Sequence, residues 1–262
     1  MMQMLHDAGI SVAGRSVLEI GTGWLPVFPV CFLLAGAREV HTFDLRRHMR
    51  DDARATVLTH IEPLLGEIAQ GSGEPEPVVR GRWQALRQQA STGAATDLGI
   101  RYHAPADASA TGLPDGSVDL IVSNSVLEHV SPTVLHPLMR ESARLIGESG
   151  HVLHSVNCGD HYAYFDRRIS PIHYLRFSNA DWRRWNNDIL YQNRLRPSDF
   201  IQAARSSGLE ILHDIQTVRH ALMQQSPPPV IAEAFRHYSE EDLCTTSVTF
   251  LARLPKTLPS DR

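Results

Sequence analysis

Short apolar runs alternate along the chain with longer stretches in which apolar side chains recur at helical spacing. Runs of about four to eight residues are typical of buried strands, and strands that alternate with helices predict a parallel sheet with right-handed crossovers. The predicted strands are Ser16–Ile20, Glu39–Phe43, Ile100–His103, Asp119–Ser123, His151–Asn157, Glu210–Thr217 and Thr245–Leu254. The pattern therefore predicts an α/β fold with a doubly wound, mostly parallel sheet of seven strands.

Two segments, residues 46–99 and 159–200, are long for simple crossovers and are expected to be insertions in a single domain over 1–262. In the first we expect a helix over Asp51–Ala69, a flexible loop over Gly71–Pro77 and a short helix around Arg82–Gln89. The second holds nine of the chain's 18 aromatic residues. These aromatics predict a small satellite core, a wall of a substrate pocket, or both.

The most informative stretch is Glu19-Ile20-Gly21-Thr22-Gly23-Trp24, between the first strand and an apolar run predicted to be helical. Glycines let the backbone pass close to a ligand, and the helix start after them offers unpaired N–H groups. The acidic residue before the glycines disfavours pyrophosphate and suits a ligand with hydroxyl and ammonium groups. A turn that only joins strand to helix is the plainer interpretation.

Three further polar positions follow strands or precede them. Asp44 ends the second predicted strand about 20 residues after the glycines, where a carboxylate can accept both hydroxyls of a ribose. The alternative is that Asp44 caps a following helix. Asp107 lies in a loop ahead of the fourth strand, and Asn124 follows that strand. Because ligands bind at the carboxyl ends of parallel strands, we expect one pocket to gather Gly21, Asp44, Asp107 and Asn124.

These residues, with the segment Leu113–Val130 and its closing Leu-Glu-His-Val, resemble class I S-adenosylmethionine (SAM)-dependent methyltransferases of the small-molecule type. The resemblance spans about Val17–Val156 and implies a Rossmann-like fold whose last two strands form an antiparallel edge hairpin. One departure stands out, since many members carry a third glycine where this chain has Leu25. The pattern Gly-Thr-Gly-Trp-x-Pro is therefore expected to mark a subfamily.

The resemblance implies SAM as the cofactor. The residues expected to bind it are Glu19, Gly21, Thr22, Gly23, Trp24, Asp44, Leu45, Asp107, Ala108 and Asn124. Within that set, Asp44 is expected to hold the ribose, and Asp107 is expected to accept a hydrogen bond from the adenine amine with Ala108 beside it. Trp24 is expected to cover the methionine end.

The expected reaction is methyl transfer to an oxygen, nitrogen or carbon of a small molecule, such as a sugar or polysaccharide precursor or a specialised metabolite. Such acceptors usually lose a proton, and His129 and His161 are the candidate bases because histidine titrates near neutrality. Capping or packing for His129, and an ordinary loop position for His161, are the alternatives. Tyr162, Tyr191 and Asn193 in the second insertion are candidates for orienting the acceptor.

Two other functions use the same cofactor motifs. A pocket that folds the methionine chain back on its sulfonium would promote cyclisation or elimination of SAM. A regulator or non-catalytic partner subunit would bind SAM without turnover. Sequence does not separate these alternatives from methyl transfer, whereas the products formed from SAM alone would.

Composition narrows the class of protein. With 262 residues, 42% of them hydrophobic and 21% charged, the chain is ordinary for a soluble enzyme. A net charge of −4 argues against a general nucleic-acid binder. Three distant cysteines and the absence of common His or Cys ligand spacings lead us to expect no metal.

We expect a cytoplasmic location, because the sequence shows neither a secretory signal nor an apolar run of membrane-spanning length. The segment before the first strand is short. We therefore expect the insertion helices, or a partner chain in a homodimer, to cover the cofactor.

Overall fold

The computed structural model describes residues 1–92, 98–187 and 191–256. Seven strands form one mixed sheet in the order β3-β2-β1-β4-β5-β7-β6. Their bounds are β1 Ser16–Ile20, β2 Glu39–Phe43, β3 Ile100–His103, β4 Val118–Asn124, β5 Ile146–Asn157, β6 Glu210–Val218 and β7 Thr245–Arg253. β2 pairs in parallel with β1 and with β3, whereas β6 and β7 form an antiparallel pair at one edge. The predicted α/β, Rossmann-like fold is confirmed.

The helices of the described residues vary in length from a single turn to 17 residues. The α-helices are α1 Met2–Asp7, α2 Val27–Leu34, α3 Ala53–His60, α4 Leu65–Ser72, α5 Glu76–Thr92, α6 Pro132–Leu145, α7 Tyr162–Phe165, α8 Asn179–Trp182, α9 Pro197–Ser206 and α10 Glu240–Cys244. Short 3-10 turns cover Glu62–Leu64, Leu127–His129, His173–Arg176, His220–Leu222 and Glu233–Phe235. None of the helices described is long and apolar enough to cross a membrane.

The helical part of the first insertion differs from its prediction. The continuous helix expected over Asp51–Ala69 is broken between α3 and α4, at the 3-10 turn that contains Pro63. Proline lacks the N–H group that a helix needs and its ring crowds the preceding turn, which accounts for the break. The loop expected over Gly71–Pro77 is also much shorter. Pro77 lies in the first turn of α5, where proline is tolerated.

The chain divides into two compact units. The first contains Met1–Val122 and Glu141–Leu153, and the second contains Ser123–Arg140 and His154–Pro255. The single domain with two insertions stays a prediction.

Some of the aromatic residues of the second unit form a satellite core. Its fully packed members are Ile172, Tyr174, Leu175, Trp182, Phe235 and Leu243, with Tyr162 and Phe177 packed against them. By contrast, Tyr164, Phe165 and Trp185 are exposed. The satellite core is therefore present, and it leaves some rings of the same segment facing solvent.

A buried arginine joins the parts of the second unit. Arg196 is fully buried and donates hydrogen bonds to the carbonyls of Cys158, Asp242, Leu243 and Thr245 and to the Tyr174 hydroxyl. These partners lie just after β5, in the satellite core, and in the segment that leads into β7. The guanidinium thus ties together three stretches that are distant in sequence.

The same residue marks the start of α9. The sequence predicts a helix over Phe200–Ser206 that Ser198 or Asp199 caps. The predicted start at Phe200 is late by about one turn, because Pro197 already occupies the first helical position. Arg196 is the N-cap residue, and its own N–H donates to the Asp199 carboxylate at 2.7 Å. Of the two predicted caps, Asp199 therefore closes the helix start, although it does so from the third helical position.

Replacing Trp182 with alanine should lower the free energy of unfolding by about 3–5 kcal/mol, because the ring is buried in the satellite core and its N–H donates to the Gln192 carbonyl. The exposed Trp185 is the matched control, and its replacement with alanine should cost less than about 1 kcal/mol. Urea unfolding followed by circular dichroism measures both. Equal losses for the two variants would contradict the assignment of Trp182 to the core.

Candidate functional site

The glycine turn of the first unit leaves open space above its backbone. Gly21 and Gly23 have φ of 76° and 71°, in the left-handed region that favours glycine. A Cβ atom added to Gly23 would meet none of the described atoms within 4 Å. No described side chain caps the start of α2, whose first residue, Val27, donates its N–H to the Leu25 carbonyl at 2.8 Å and whose third residue, Pro29, has no N–H, so the open approach is to the glycine turn itself. A ligand can therefore approach the backbone here closely.

Glu19 lies beneath this turn, near the end of β1, and is only 3% exposed. The Thr22 hydroxyl donates a hydrogen bond to its carboxylate. Burial raises the pKa of Glu19 to about 8, with Thr22 acting in the opposite direction and the Asp44 charge in the same one. A buried carboxylate in this position fits a ligand that brings an ammonium group or hydroxyl donors.

Asp44 follows β2 and does not cap a helix, since the next helix, α3, begins at Ala53. Its two oxygens share the Gly23 N–H at 3.1 and 3.4 Å. Burial raises the pKa of Asp44, while hydrogen bonds from Tyr102 and the glycine turn lower it. The carboxylate thus links the glycine turn to the end of the neighbouring strand.

The loop after β3 contains Asp107 and Ala108, the candidates for binding adenine, and it contacts the backbone of Asp44. The Ala106 N–H donates to the Asp44 carbonyl at 2.9 Å. The next residue, Asp107, is exposed and accepts hydrogen bonds from the N–H and hydroxyl of Ser109, with Ala108 beside it.

Trp24 and Leu45 are also strongly exposed, at 70% and 74%. Of the expected cofactor residues, only Asn124 lies in the second unit, at the end of β4.

In the second unit, a 3-10 turn after β4 carries Glu128 and His129. Glu128 is 2% exposed, and neither of its carboxylate oxygens has a hydrogen-bond partner among the described residues. Burial raises the pKa of Glu128 to about 7, against a smaller opposite effect of backbone N–H groups. Nδ1 of His129 lies 2.6 Å from the Tyr191 carbonyl. Because a carbonyl only accepts, Nδ1 carries the proton and Nε2 keeps a free lone pair.

His161 lies beside this turn, with its ring centroid 5.1 Å from that of His129. The Asn157 amide nitrogen is 3.1 Å from His161 Nε2, and the amide is oriented by the Gly159 N–H, which donates to its oxygen. Burial, followed by the nearby His129, lowers the pKa of His161 to about 4. One ligand atom from each of Glu128, His129 and His161 lies within 4.8 Å of the others. The structure therefore brings the two predicted histidines together.

A polar cavity of about 510 Å³ lies in the same unit. Its lining is rich in hydroxyl and amide groups and includes one arginine: Ser125, Ser155, Asn157, Tyr164, Thr217, Arg219, Thr246 and Ser247, with Gly159, Asp160 and Ala163 among the rest. Asn157 belongs both to this lining and to the hydrogen-bond network of His161. The cavity suits a small molecule with several oxygen atoms.

The three expected acceptor residues all make contacts within the protein. The Tyr162 hydroxyl donates to the Trp185 carbonyl. The Asn193 amide donates to the carbonyls of Leu127 and Val130 at 2.7 and 2.8 Å. Asn193 thus holds both ends of the turn that carries Glu128 and His129, while the carbonyl of Tyr191 orients His129. Contact of these three residues with an acceptor stays a prediction.

Two residues of this cluster were not predicted from the sequence. Glu128 lies within Leu-Glu-His-Val, and its place in the turn that follows a buried strand was a usable signal. Gln192 is buried, accepts a hydrogen bond from the His161 N–H and donates one to the Gly159 carbonyl. It pairs with positions about thirty residues away, which no local pattern reveals.

Glu19→Gln should make the stability of the protein less sensitive to pH. The folded protein holds the proton of Glu19 up to about pH 8, whereas the unfolded chain releases it near 4.5. The stability that the protonated Glu19 contributes is therefore fully present below that lower value and is lost as the pH rises towards 8. We expect the melting temperature without ligand to fall more between pH 5 and 9 for the wild type than for Glu19→Gln. Glu67→Gln, at an exposed position, is the control. If the melting temperature of Glu19→Gln fell between pH 5 and 9 as much as that of the wild type, the raised pKa of Glu19 would be contradicted.

The fold recurs in solved structures. A SAM-dependent methyltransferase from Mesorhizobium loti is 18% identical, with 95% of each chain covered and a TM-score of 0.52. The geranyl diphosphate C-methyltransferase of Streptomyces coelicolor A3(2), solved with Mg²⁺, geranyl diphosphate and S-adenosyl-L-homocysteine, is 13% identical over 97% of this chain and 79% of its own, with a TM-score of 0.53. The cyclase SpnF is also similar, at 13% identity, 97% and 81% coverage and a TM-score of 0.50. At these identities the likeness shows the fold alone.

No curated protein matches the chain in sequence. The family described as a methyltransferase domain does match, over residues 3–214. That match covers most of the chain and includes the glycine turn, Asp44, Asp107 and the histidine pair. The chain therefore belongs to the methyltransferase domain family, and its cofactor is SAM.

Proposed function

We propose that this protein transfers the methyl group of SAM to an oxygen, nitrogen or carbon atom of a small-molecule acceptor. The observation that carries the proposal is the pairing of His129 and His161 beside a buried carboxylate, in the unit that also holds the polar cavity. Side chains that can take a proton, next to a cavity for an oxygen-rich molecule, suit acceptor activation.

The first unit supplies most of the proposed cofactor contacts. The open turn of Gly21, Thr22 and Gly23 fits a close approach of the ligand, and the buried Glu19 fits its ammonium group. SAM itself supplies a methyl group already activated by the sulfonium. We assign the ribose hydroxyls to Asp44.

The remaining cofactor assignments concern the two ends of the molecule. We assign the adenine amine to Asp107, with Ala108 and Leu45 beside the base. Trp24, with most of its ring exposed, is proposed to cover the methionine end, and Asn124 is a further proposed cofactor contact.

Within the second unit, His129 is the better placed of the two bases. Its Nδ1–H is held by the Tyr191 carbonyl, so Nε2 is free to accept a proton. His161 Nε2 already accepts from Asn157. Tyr162, Tyr191 and Asn193, in the segment 159–200, are proposed to shape the acceptor site.

The lining of the cavity favours an acceptor with several hydroxyls or an acidic group. Arg219 provides a positive charge there, surrounded by hydroxyl-bearing side chains. Sugar or polysaccharide precursors and specialised metabolites of this kind both fit. We propose a cytoplasmic protein with reduced thiols, a small molecule and not nucleic acid as its partner, and a homodimer as one source of cover for the cofactor.

Asp44→Ala should weaken SAM binding at least about tenfold, because it removes two hydrogen bonds to a charged acceptor, each worth about 1.5–3 kcal/mol. Isothermal titration calorimetry measures the change. Asp51→Ala is the matched control, since that carboxylate is fully exposed in the following segment and should leave SAM affinity unchanged. Unchanged affinity in Asp44→Ala would remove this residue from the site.

The reaction is tested by incubating the protein with methyl-labelled SAM and a panel of hydroxylated and acidic small molecules, followed by mass analysis. We expect a product heavier by one methyl group. We also expect about a 10²–10⁴-fold lower rate for His129→Ala, with SAM affinity unchanged and with the exposed His213→Ala as control. Products formed from SAM alone would indicate cyclisation or elimination. Tight SAM binding without any product would favour the regulator.

A further inference from the structure

We propose that Glu128, His129 and His161 form a binding site for a divalent transition-metal ion. The inference rests on the proposed function in one respect, because it assigns the ion to the cluster proposed to activate the acceptor. The binding itself is a property of the second unit, to which all three side chains belong. It reverses the expectation drawn from ligand spacing in the sequence, which does not show that residues 129 and 161 meet.

The three side chains are close enough to share one ion. One ligand atom of each lies within 4.8 Å of the other two. Bonds of about 2.0–2.2 Å to nitrogen and carboxylate oxygen bring ligand atoms to roughly 3–3.5 Å from one another. Since His129 is exposed and His161 only partly buried, shifts of about 1 Å in these rings close the difference.

The strongest evidence is the environment of Glu128. Its carboxylate is buried, and neither oxygen has a hydrogen-bond partner among the described residues, although the backbone N–H groups of Glu128 and Asn157 offset a small part of the effect of burial. An ionised carboxylate needs a cation or donors, and a protonated one needs an acceptor for its O–H, so the described residues satisfy neither form. A cation bound by the two adjacent imidazoles would neutralise this charge and fill its coordination.

The surroundings of the histidines match those of metal ligands. A ligating histidine usually donates its other ring N–H to a carbonyl or carboxylate, which fixes its tautomer, and His129 does so to the Tyr191 carbonyl. Gln192 holds the backbone of His161, and Asn193 holds the turn that carries the other two residues. Three consecutive residues of the second insertion therefore fix the cluster.

One existing contact has to give way for binding through Nε2 of His161. That atom now accepts from the Asn157 amide at 3.1 Å. The same amide also contacts the Tyr164 hydroxyl at 2.5 Å, so the amide keeps one partner when the ion takes the lone pair. The exchange replaces a long hydrogen bond with a coordinate bond.

The donor set points to the class of metal. Two imidazole nitrogens and one carboxylate suit Zn²⁺, Fe²⁺, Co²⁺ or Mn²⁺ better than Mg²⁺ or Ca²⁺, which prefer oxygen ligands. Three protein ligands also leave coordination positions open. An acceptor with neighbouring oxygen atoms fits such an ion, whose charge makes an acceptor proton easier to lose. In that role the two histidines would hold the ion, and the acceptor proton would pass to solvent and not to His129.

Metal binding is tested on the full chain, stripped with a chelator and titrated with Co²⁺ and then Zn²⁺ in the absence of SAM and acceptor. We expect one tight site per chain, with the visible absorption of nitrogen-ligated Co²⁺, and at least about a tenfold weaker affinity for Glu128→Gln and His129→Ala. His129 is exposed, so its variant serves if Glu128→Gln does not fold. His213→Ala, on an exposed strand position, should bind as the wild type does.

Equal metal affinity in the wild type and both cluster variants would overturn the proposal, as would an equal loss in His213→Ala. Calorimetry with SAM on the same samples separates this result from the proposed function. SAM binding and methyl transfer without metal binding would overturn the metal site alone. Tight metal binding without SAM binding would support the site and contradict the cofactor assignment.

Discussion

The second unit depends on the buried guanidinium of Arg196. A charge in the interior is tolerated only when its donors are satisfied, and a guanidinium offers five N–H groups in one plane. Here they meet carbonyls that follow β5 and lead into β7, together with the Tyr174 hydroxyl. Cys158, one of these partners, immediately follows the strand that ends at Asn157. Arg196 therefore fixes the chain from which Asn157 and His161 reach the cluster. A lysine, with three donors on a flexible stem, could not make the same set of contacts.

The first unit brings the backbone of the glycine turn close to two carboxylates, those of Glu19 and Asp44. Gly21 and Gly23 turn the chain between β1 and α2 without side chains in the way, and Asp44 holds the turn through the Gly23 N–H. Glu19 lies buried below, with a proton that a cationic ligand would displace. Each unit thus buries a glutamate, and in each the carboxylate calls for a positively charged or donor-rich partner.

Much of the fold could be predicted because strands in a parallel sheet are short, apolar and bounded by turns. β1, β2 and β3 have their predicted bounds, whereas the helix expected over 51–69 was wrong at Pro63, where local backbone chemistry overrides an apolar pattern. The candidate cofactor positions were accessible for a similar reason, since they follow or precede strands. The cluster around Glu128 was not accessible, because Tyr191 and Gln192, which hold His129 and His161, are distant from them in sequence. Burial of a polar side chain cannot be read from its neighbours in sequence.

The contacts of Asn193 have a consequence for the exchange of segments between members of the family. Its amide spans the turn after β4, so the second insertion does more than add a surface to a finished scaffold. If the second insertion were replaced by one that lacks this asparagine, the carbonyls of Leu127 and Val130 would lose their hydrogen bonds. Replacing the turn alone could break the same hydrogen bonds. The two segments therefore depend on each other for their conformation. A chimaera that takes the second insertion from a relative should keep residues 127–130 and 191–193 from the same parent.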